Sequence, residues 1–188
     1  PSLSRINHPG DYHRLTFIEG TATLCRSCHF SIENYSLNDS SIYPQLIEQA
    51  KSLIAGEADL IANLANLSAL IYHNLDDVNW AGFYLYKEEQ LILGPFQGLP
   101  ACIRIPMGKG VCGTAAQTNT IQRIDDVHAF PGHIACDAAS ESEIVIPIVV
   151  NDKLVGVLDI DSPKLSRFSA EDEAGLVAIV DALVAEIS

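Results

Sequence analysis

The chain has 188 residues, 48% of them hydrophobic, and a formal net charge of −13 from 24 acids and 11 bases. This length and composition suit one globular domain with a sizeable core and argue against intrinsic disorder. Nucleic acids and anionic membranes require a basic footprint, and no apolar run approaches the length that spans a bilayer. We therefore predict neither partner. The charge fits a cationic or zwitterionic small ligand, or simply a solvated acidic surface.

The cysteine content favours a reducing compartment. Five cysteines fit poorly with a fully paired secreted framework, and the chain opens at Pro1 without a charged leader and an apolar core. We predict a cytoplasmic location.

Residues 1–40 differ in composition from the rest of the chain. They are rich in Ser, Asn and His and lack periodicity, which predicts a poorly patterned extension before a domain at 41–188. Within the extension, Cys25-Arg-Ser-Cys28-His29 matches the pattern for c-type haem attachment. Five residues are a weak signal, and two incidental thiols are the competing interpretation.

The first half of the domain alternates between helical and strand patterns. Apolar residues recur every three or four positions from Tyr43 to Leu75, with a break at Gly56, which predicts two helices. Strands are predicted at Trp80–Tyr86 and Leu91–Leu93, joined as a hairpin. Shorter elements follow: a strand at 102–106, a helix at 111–118 and a strand at 121–124.

The second half contains a long loop and a second hairpin. Residues 125–142 show no sustained period, and loops of this length inside compact domains are usually functional or disordered. Strands at Ile144–Val150 and Leu154–Asp161 form the hairpin, and a helix capped by Ser169 runs from Ala170 to Ile187. This order predicts an α+β fold with a largely antiparallel sheet.

Two aspartates share one strand face. Asp159 and Asp161 are two residues apart, so they project together, while Leu158 and Ile160 face the core. Like charges repel unless a cation or shared proton lies between them. The strand end is therefore either exposed to solvent or part of a site for an ammonium group or a metal, which Glu141 and Glu143 could extend.

Trp80 and Tyr84 are four residues apart on a strand and also share a face. They are either ordinary core residues or an aromatic wall of a binding site.

Three cysteines, Cys102, Cys112 and Cys136, lie in short polar or glycine-bearing segments. A structural cysteine usually occupies an apolar run, so these positions favour thiol chemistry. His128 and His133 could assist ionisation of Cys136, whereas Asp137 would oppose it. Zinc ligands usually come in pairs separated by two to four residues, whereas the spacings between these three cysteines are 10 and 24, so we predict no metal.

Five motifs together resemble a known family. They are Asn79-Trp-Ala-Gly-Phe-Tyr84, Leu93-Gly-Pro-Phe-Gln-Gly98, Gly110-Val-Cys-Gly-Thr-Ala115, His133-Ile-Ala-Cys-Asp-Ala-Ala-Ser140 and Gly156-Val-Leu-Asp-Ile-Asp-Ser162. Their order and cysteine spacing resemble the free methionine-(R)-sulfoxide reductases, a GAF-domain family, over roughly residues 43–187. The resemblance implies a GAF-like fold: a central antiparallel sheet, N- and C-terminal helices packed on one face, and a pocket on the other.

The resemblance also implies roles for the cysteines. Cys136 would be the nucleophile that reduces free methionine-(R)-sulfoxide, and Cys102 would resolve the oxidised form as a disulfide. Cys112 would be an additional redox thiol. No bound cofactor is implied, and an NADPH-linked thioredoxin would be the external reductant. The resemblance alone suggests a homodimer.

For the pocket, the resemblance implies substrate binding by Trp80, Tyr84, Glu143 and Asp159. Asp161 would assist proton delivery to the sulfoxide oxygen, since crowded carboxyls have raised pKa values. The alternative function is a non-catalytic GAF module that senses a small ligand or the redox state.

Overall fold

The structure is a computed structural model that describes residues 41–132 and 139–188, all within a compact unit at Ser36–Ser188. The haem-like pattern at Cys25–His29 lies outside the described residues. The helices and strands, numbered in chain order, are α1 Tyr43–Ile54, α2 Leu60–Asn74, β1 Trp80–Lys87, β2 Gln90–Gly98, β3 Arg104–Pro106, α3 Gly110–Thr118, β4 Gln122–Ile124, β5 Ser142–Val150, β6 Lys153–Ser162 and α4 Ala170–Ile187. A 3-10 turn at Val127–Ala129 precedes β5.

The six strands form one antiparallel sheet in the order β3-β2-β1-β6-β5-β4. Helices α1, α2 and α4 pack together on one face, and α3 packs against β5 and β6 on the other. The predicted α+β fold, with its terminal helices on one face, is confirmed.

Alternation along each strand divides the core into two parts. Ala81, Phe83 and Leu85 of β1 face α1, α2 and α4, while Trp80 and Tyr84 face the opposite side. Both sets are buried because helices or loops cover both faces. The sheet therefore carries a large aliphatic core on one side and a smaller core, with polar neighbours, on the other.

Local signals set the helix boundaries close to where the sequence predicts them. Gly56 takes a φ of +74° after α1, and the Asp59 side chain accepts a hydrogen bond from Ala62 N at the start of α2. Ser169 and Asp172 form a reciprocal capping box at the start of α4.

Two strands differ from the prediction. β2 continues through Gly94 and Pro95 because it bulges there: Gly82 pairs with Phe96, whereas Tyr84 pairs with Leu93. A bulge is one of the few sheet positions that tolerates proline. β3 begins at Arg104 rather than at Cys102, whose carbonyl oxygen instead accepts a hydrogen bond from the Tyr84 hydroxyl.

Among the described residues, none of the helices combines the length and apolar character needed to cross a bilayer.

The contact between α1 and α4 requires a glycine. A Cβ at Gly175 would lie 2.0 Å from Cδ1 of the Tyr43 ring. Gly175→Ala should lower the free energy of unfolding by up to about 2 kcal/mol, because overpacking costs roughly 1–3 kcal/mol and the gain in helix propensity returns about 1 kcal/mol. Urea unfolding measures the change. In a Tyr43→Ala background the same substitution should be neutral or stabilising, and equal losses in both backgrounds would contradict the steric explanation.

Candidate active site

The strand register places the predicted acids and aromatics in adjacent rows across the sheet. Trp80 pairs with Asp161, and Asp161 pairs on its other side with Glu143. In the next row Asp159 pairs with Gly82 and with Val145. Directly paired residues point to the same face, so these side chains lie on the face that carries α3.

Glu143, Asp159 and Cys112 form a buried cluster, hereafter the acid cluster. One potential metal-ligand atom from each residue lies within 4.8 Å of those of the other two. Asp159 is only 6% exposed. The Cys112 thiol, from the first turn of α3, donates to Glu143 Oε1 at 3.7 Å. α3 therefore closes the acid cluster from above the sheet.

Burial and mutual repulsion favour the protonated forms of the acid cluster. Burial, followed by the charges of Asp159 and Asp161, raises the pKa of Glu143 well above its usual range. Burial raises the pKa of Asp159 from 3.8 to about 6, although hydrogen bonding to Cys112 and Glu143 opposes the rise. Burial and both acids also raise the pKa of Cys112, which keeps it a neutral thiol.

One oxygen of the acid cluster has an unmet hydrogen-bonding requirement. Within residues 41–132 and 139–188, Asp159 Oδ1 is buried and makes no hydrogen bond. Buried acceptors are normally paired, so this atom indicates a ligand that donates. An ammonium group, which donates hydrogen bonds, fits the carboxyl oxygens of Glu143 and Asp159. Cys112, Glu143 and Asp159 could also hold a metal ion, against the sequence prediction of none.

An aromatic stack lies beside the acid cluster. The Trp80 ring stacks on Phe96, with centroids 5.2 Å apart and planes at 14°, and on Tyr84 at 5.9 Å and 24°. Gly82 makes room for this arrangement, since a Cβ there would lie 2.7 Å from Trp80 Cη2. Sequence reasoning assigned no role to Phe96, although it lies in one of the five motifs.

The polar atoms of the stack hold the segment that leads to Cys102. Trp80 Nε1 donates to Leu99 O at 3.1 Å, and the Tyr84 hydroxyl donates to Cys102 O at 3.0 Å. Burial, followed by the charge of Asp159, raises the pKa of Tyr84, so its hydroxyl remains a donor. The two rings are only 2% and 1% exposed. They are core residues and also neighbours of the site.

The cysteines occupy different environments. Cys102 is partly exposed and disulfide-bonded, whereas Cys112 is a buried free thiol. Cys136, with its neighbours His133 and Asp137, lies outside the described residues. His128 is exposed, and its Nε2 lies 3.6 Å from Glu141 Oε2, which places Glu141 at the surface rather than in the acid cluster.

Asn79 is a residue that sequence reasoning missed. Its backbone N–H donates to Asp161 O at 3.1 Å, and its side-chain amide donates to Ser140 Oγ at 3.2 Å. It thus joins the start of β1 to the segment entering β5. Its only signal in the sequence is its place beside Trp80 in the first motif.

The raised pKa of Asp159 predicts how stability depends on pH. A carboxyl that binds its proton more tightly in the folded state contributes stability at low pH, which is lost as pH rises from 3.8 to about 6. This rise corresponds to about 3 kcal/mol. Asp159→Asn does not titrate at this position and avoids this loss. The difference in free energy of unfolding between Asp159→Asn and wild type should therefore increase, in favour of the variant, by up to that amount between pH 4 and 7. Urea unfolding at each pH measures the difference.

Asp152→Asn, in the exposed turn between β5 and β6, is the matched control and should follow the wild-type pH profile. A difference between Asp159→Asn and wild type that does not change with pH would contradict the buried-carboxyl assignment.

Comparison with known proteins connects this geometry to a family. The GAF domain family matches residues 56–187. The free methionine-R-sulfoxide reductase of Escherichia coli (strain K12) is 57% identical over 144 residues, covering 77% of this chain and 87% of that protein.

Two solved structures with bound substrate are also similar. The Staphylococcus aureus fRMsr in complex with substrate is 52% identical, with a TM-score of 0.76, covering 81% of this chain and 100% of that one. The free methionine-R-sulfoxide reductase from Neisseria meningitidis in complex with its substrate is 37% identical, with a TM-score of 0.78, covering 84% and 95%. With its GAF fold and this similarity across most of its length, the chain belongs to the free methionine-R-sulfoxide reductase family.

Proposed function

We propose that the protein reduces free L-methionine-(R)-sulfoxide to L-methionine. The observation that carries this proposal is the acid cluster with its unpaired Asp159 oxygen, lying beside the aromatic stack and the segment of Cys102. Relatives named for this activity, two of them solved with substrate, supply the substrate class.

Glu143 and Asp159 would bind the substrate ammonium. Both hold protons tightly because they are buried together without a cation. An ammonium group would lower both pKa values and satisfy Asp159 Oδ1. Binding would therefore release a proton from Glu143 or Asp159. Asp161 lies next to them, because it is the cross-strand partner of Glu143.

The same pair accounts for selection of the free amino acid. A methionine sulfoxide within a peptide presents an amide in place of the ammonium group. The buried carboxyls would then lose their cationic partner, and sites that leave buried polar groups unpaired reject such analogues strongly. The aromatic stack of Trp80 and Tyr84 would enclose the methyl group.

The chemical step transfers oxygen from sulfur to sulfur. The Cys136 thiolate attacks the sulfoxide sulfur while Asp161 assists proton delivery to the oxygen. Methionine leaves, and Cys136 retains the oxygen as a sulfenic acid. The Cys102 thiol then attacks the Cys136 sulfur, forming a disulfide and releasing water. Cys102 is disulfide-bonded in the structure, and Ser140, four residues after Cys136, is hydrogen-bonded to Asn79 at the site.

An external dithiol would complete the cycle by thiol–disulfide exchange. We propose an NADPH-linked thioredoxin in this role, with no bound cofactor or metal. A cytoplasmic location, a homodimer and a redox role for Cys112 remain predictions.

Single-turnover kinetics tests the two cysteine roles. Reduced enzyme is mixed with racemic free methionine sulfoxide, and each epimer is followed separately. Cys136→Ser should consume neither epimer because it lacks the nucleophile. Cys102→Ser should release about one methionine per site from the R epimer, since the first step needs one thiol only.

Cys28→Ser, in the N-terminal extension, is the matched control and should turn over repeatedly with thioredoxin. Turnover by Cys136→Ser would remove the nucleophile assignment, and a missing burst in Cys102→Ser would give Cys102 an earlier role. Binding of the sulfoxide without any methionine would favour the sensor alternative.

The Tyr84 hydroxyl predicts a second effect on catalysis. Tyr84→Phe removes the hydrogen bond to Cys102 O and should cost about 1 kcal/mol of stability. It should also slow closure of the disulfide by roughly tenfold, because a positioned thiol reacts faster than a mobile one. Quenched-flow thiol counting after one turnover measures that rate. Tyr86→Phe, on the same strand but exposed, is the control, and closure rates in Tyr84→Phe equal to those in Tyr86→Phe would refute the positioning role.

A further inference from the structure

Two exposed apolar residues flank the disulfide-bonded Cys102 along the chain, three residues before it and directly after it. Leu99 is 63% exposed and Ile103 is 69% exposed, the highest values among the exposed large hydrophobic residues of the described chain. Pro100 between them is exposed as well. We call residues 99–103 the Cys102 face. Folded proteins keep most large apolar side chains covered, so apolar exposure around a reactive group needs an explanation.

This exposure does not come from a loosely held loop. Three backbone oxygens of the Cys102 face accept hydrogen bonds from β1 and β2. The three acceptors are Leu99 O from Trp80 Nε1, Cys102 O from the Tyr84 hydroxyl and Ile103 O from Leu93 N, at 3.1, 3.0 and 2.9 Å. The backbone that carries these side chains is thus already ordered, which lowers the conformational entropy lost when a partner binds.

Charge distinguishes this part of the chain from the rest. Residues 91–124 contain no Asp or Glu, although the whole chain has 24 acids and a net charge of −13. They contain Arg104, Lys109 and Arg123. Arg104 pairs with Glu88 at 3.1 Å, and Lys109 is exposed. Electrostatic repulsion of an acidic partner would therefore be weaker at this segment than at the rest of the acidic chain.

We propose that the Cys102 face is the docking surface for a small dithiol protein whose reactive thiol is surrounded by apolar surface. This inference rests on the proposed function, in which each turnover leaves Cys102 in a disulfide. Reduction requires a thiolate of the reductant to approach a sulfur of the enzyme disulfide along the S–S axis. The reductant must therefore contact residues close to Cys102. Ile103 is the next residue after Cys102, and Leu99 is three residues before it, so both are the nearest large apolar side chains along this segment.

The exchange balances in two steps. A partner thiolate attacks the Cys102 sulfur, forming a mixed disulfide and releasing the other cysteine of the enzyme disulfide as a thiolate. The second partner thiol, as its thiolate, attacks the partner sulfur in that mixed disulfide, which releases Cys102 as a thiolate. The two protons that the partner thiols gave up go to the released thiolates through solvent. The partner is oxidised to a disulfide by two electrons, and the enzyme is reduced by two.

The test compares a protein reductant with a small one. Oxidised wild-type and Leu99→Ser/Ile103→Ser enzymes are reduced either by thioredoxin, with NADPH and thioredoxin reductase, or by dithiothreitol. The second-order rate constant with thioredoxin should fall about tenfold in the variant, because the apolar contact is lost. The rate with dithiothreitol should be unchanged, since a small dithiol needs no docking surface.

Ile61→Ser, which removes a 49% exposed isoleucine of α2 on the helical face, is the matched control and should behave as wild type with both reductants. Equal losses with thioredoxin and dithiothreitol would overturn the proposal, because the substitutions would then act on the disulfide itself. Undiminished reduction by thioredoxin would also overturn it. So would a change in oligomeric state of the variant, measured by light scattering, because it would show that a second copy occupies the face.

The proposed function is tested separately by the methionine burst from enzyme already reduced with dithiothreitol. That burst needs no protein reductant, so its absence would refute the function, whereas its presence with unaltered thioredoxin kinetics would refute only the docking surface.

Discussion

Two buried carboxyls, those of Glu143 and Asp159, dominate the physics of the polar face of this domain. Without a cation they keep protons that exposed acids would lose, and one Asp159 oxygen makes no hydrogen bond among the described residues. Burying such groups without partners costs free energy of folding. Binding sites commonly carry this cost, and it is relieved when the ligand binds. The site is therefore suited to a small positively charged group.

The aromatic stack connects this electrostatic feature to the thiol chemistry. Trp80 lies in the same cross-strand row as Asp161 and Glu143. Its indole N–H donates to Leu99 O, and the Tyr84 hydroxyl donates to Cys102 O. One strand thus positions both the acidic and the sulfur-bearing parts of the site. Because β1 lies in the middle of the sheet, these positions are supported on both sides.

Much of the fold was predictable because its signals are local. The capping box of Ser169 and Asp172, the break at Gly56 and the period-two alternation of Asp159 and Asp161 depend on neighbouring residues only. The continuation of β2 through Pro95 was not predictable, since the bulge that tolerates it arises from pairing with β1. The same holds for the residues before β3, where Cys102 O accepts a hydrogen bond from the Tyr84 hydroxyl of β1.

For the site, the sequence by itself determined which residue types are present and which of them share a strand face, and the five motifs determined the family. Only the tertiary structure decided that Glu143 of β5, Asp159 of β6 and Cys112 of α3 meet within 4.8 Å, and that their pKa values rise. The physical reason is that strand register and burial are long-range properties. A carboxyl's proton affinity depends on neighbours that lie 16 to 47 residues away along the chain.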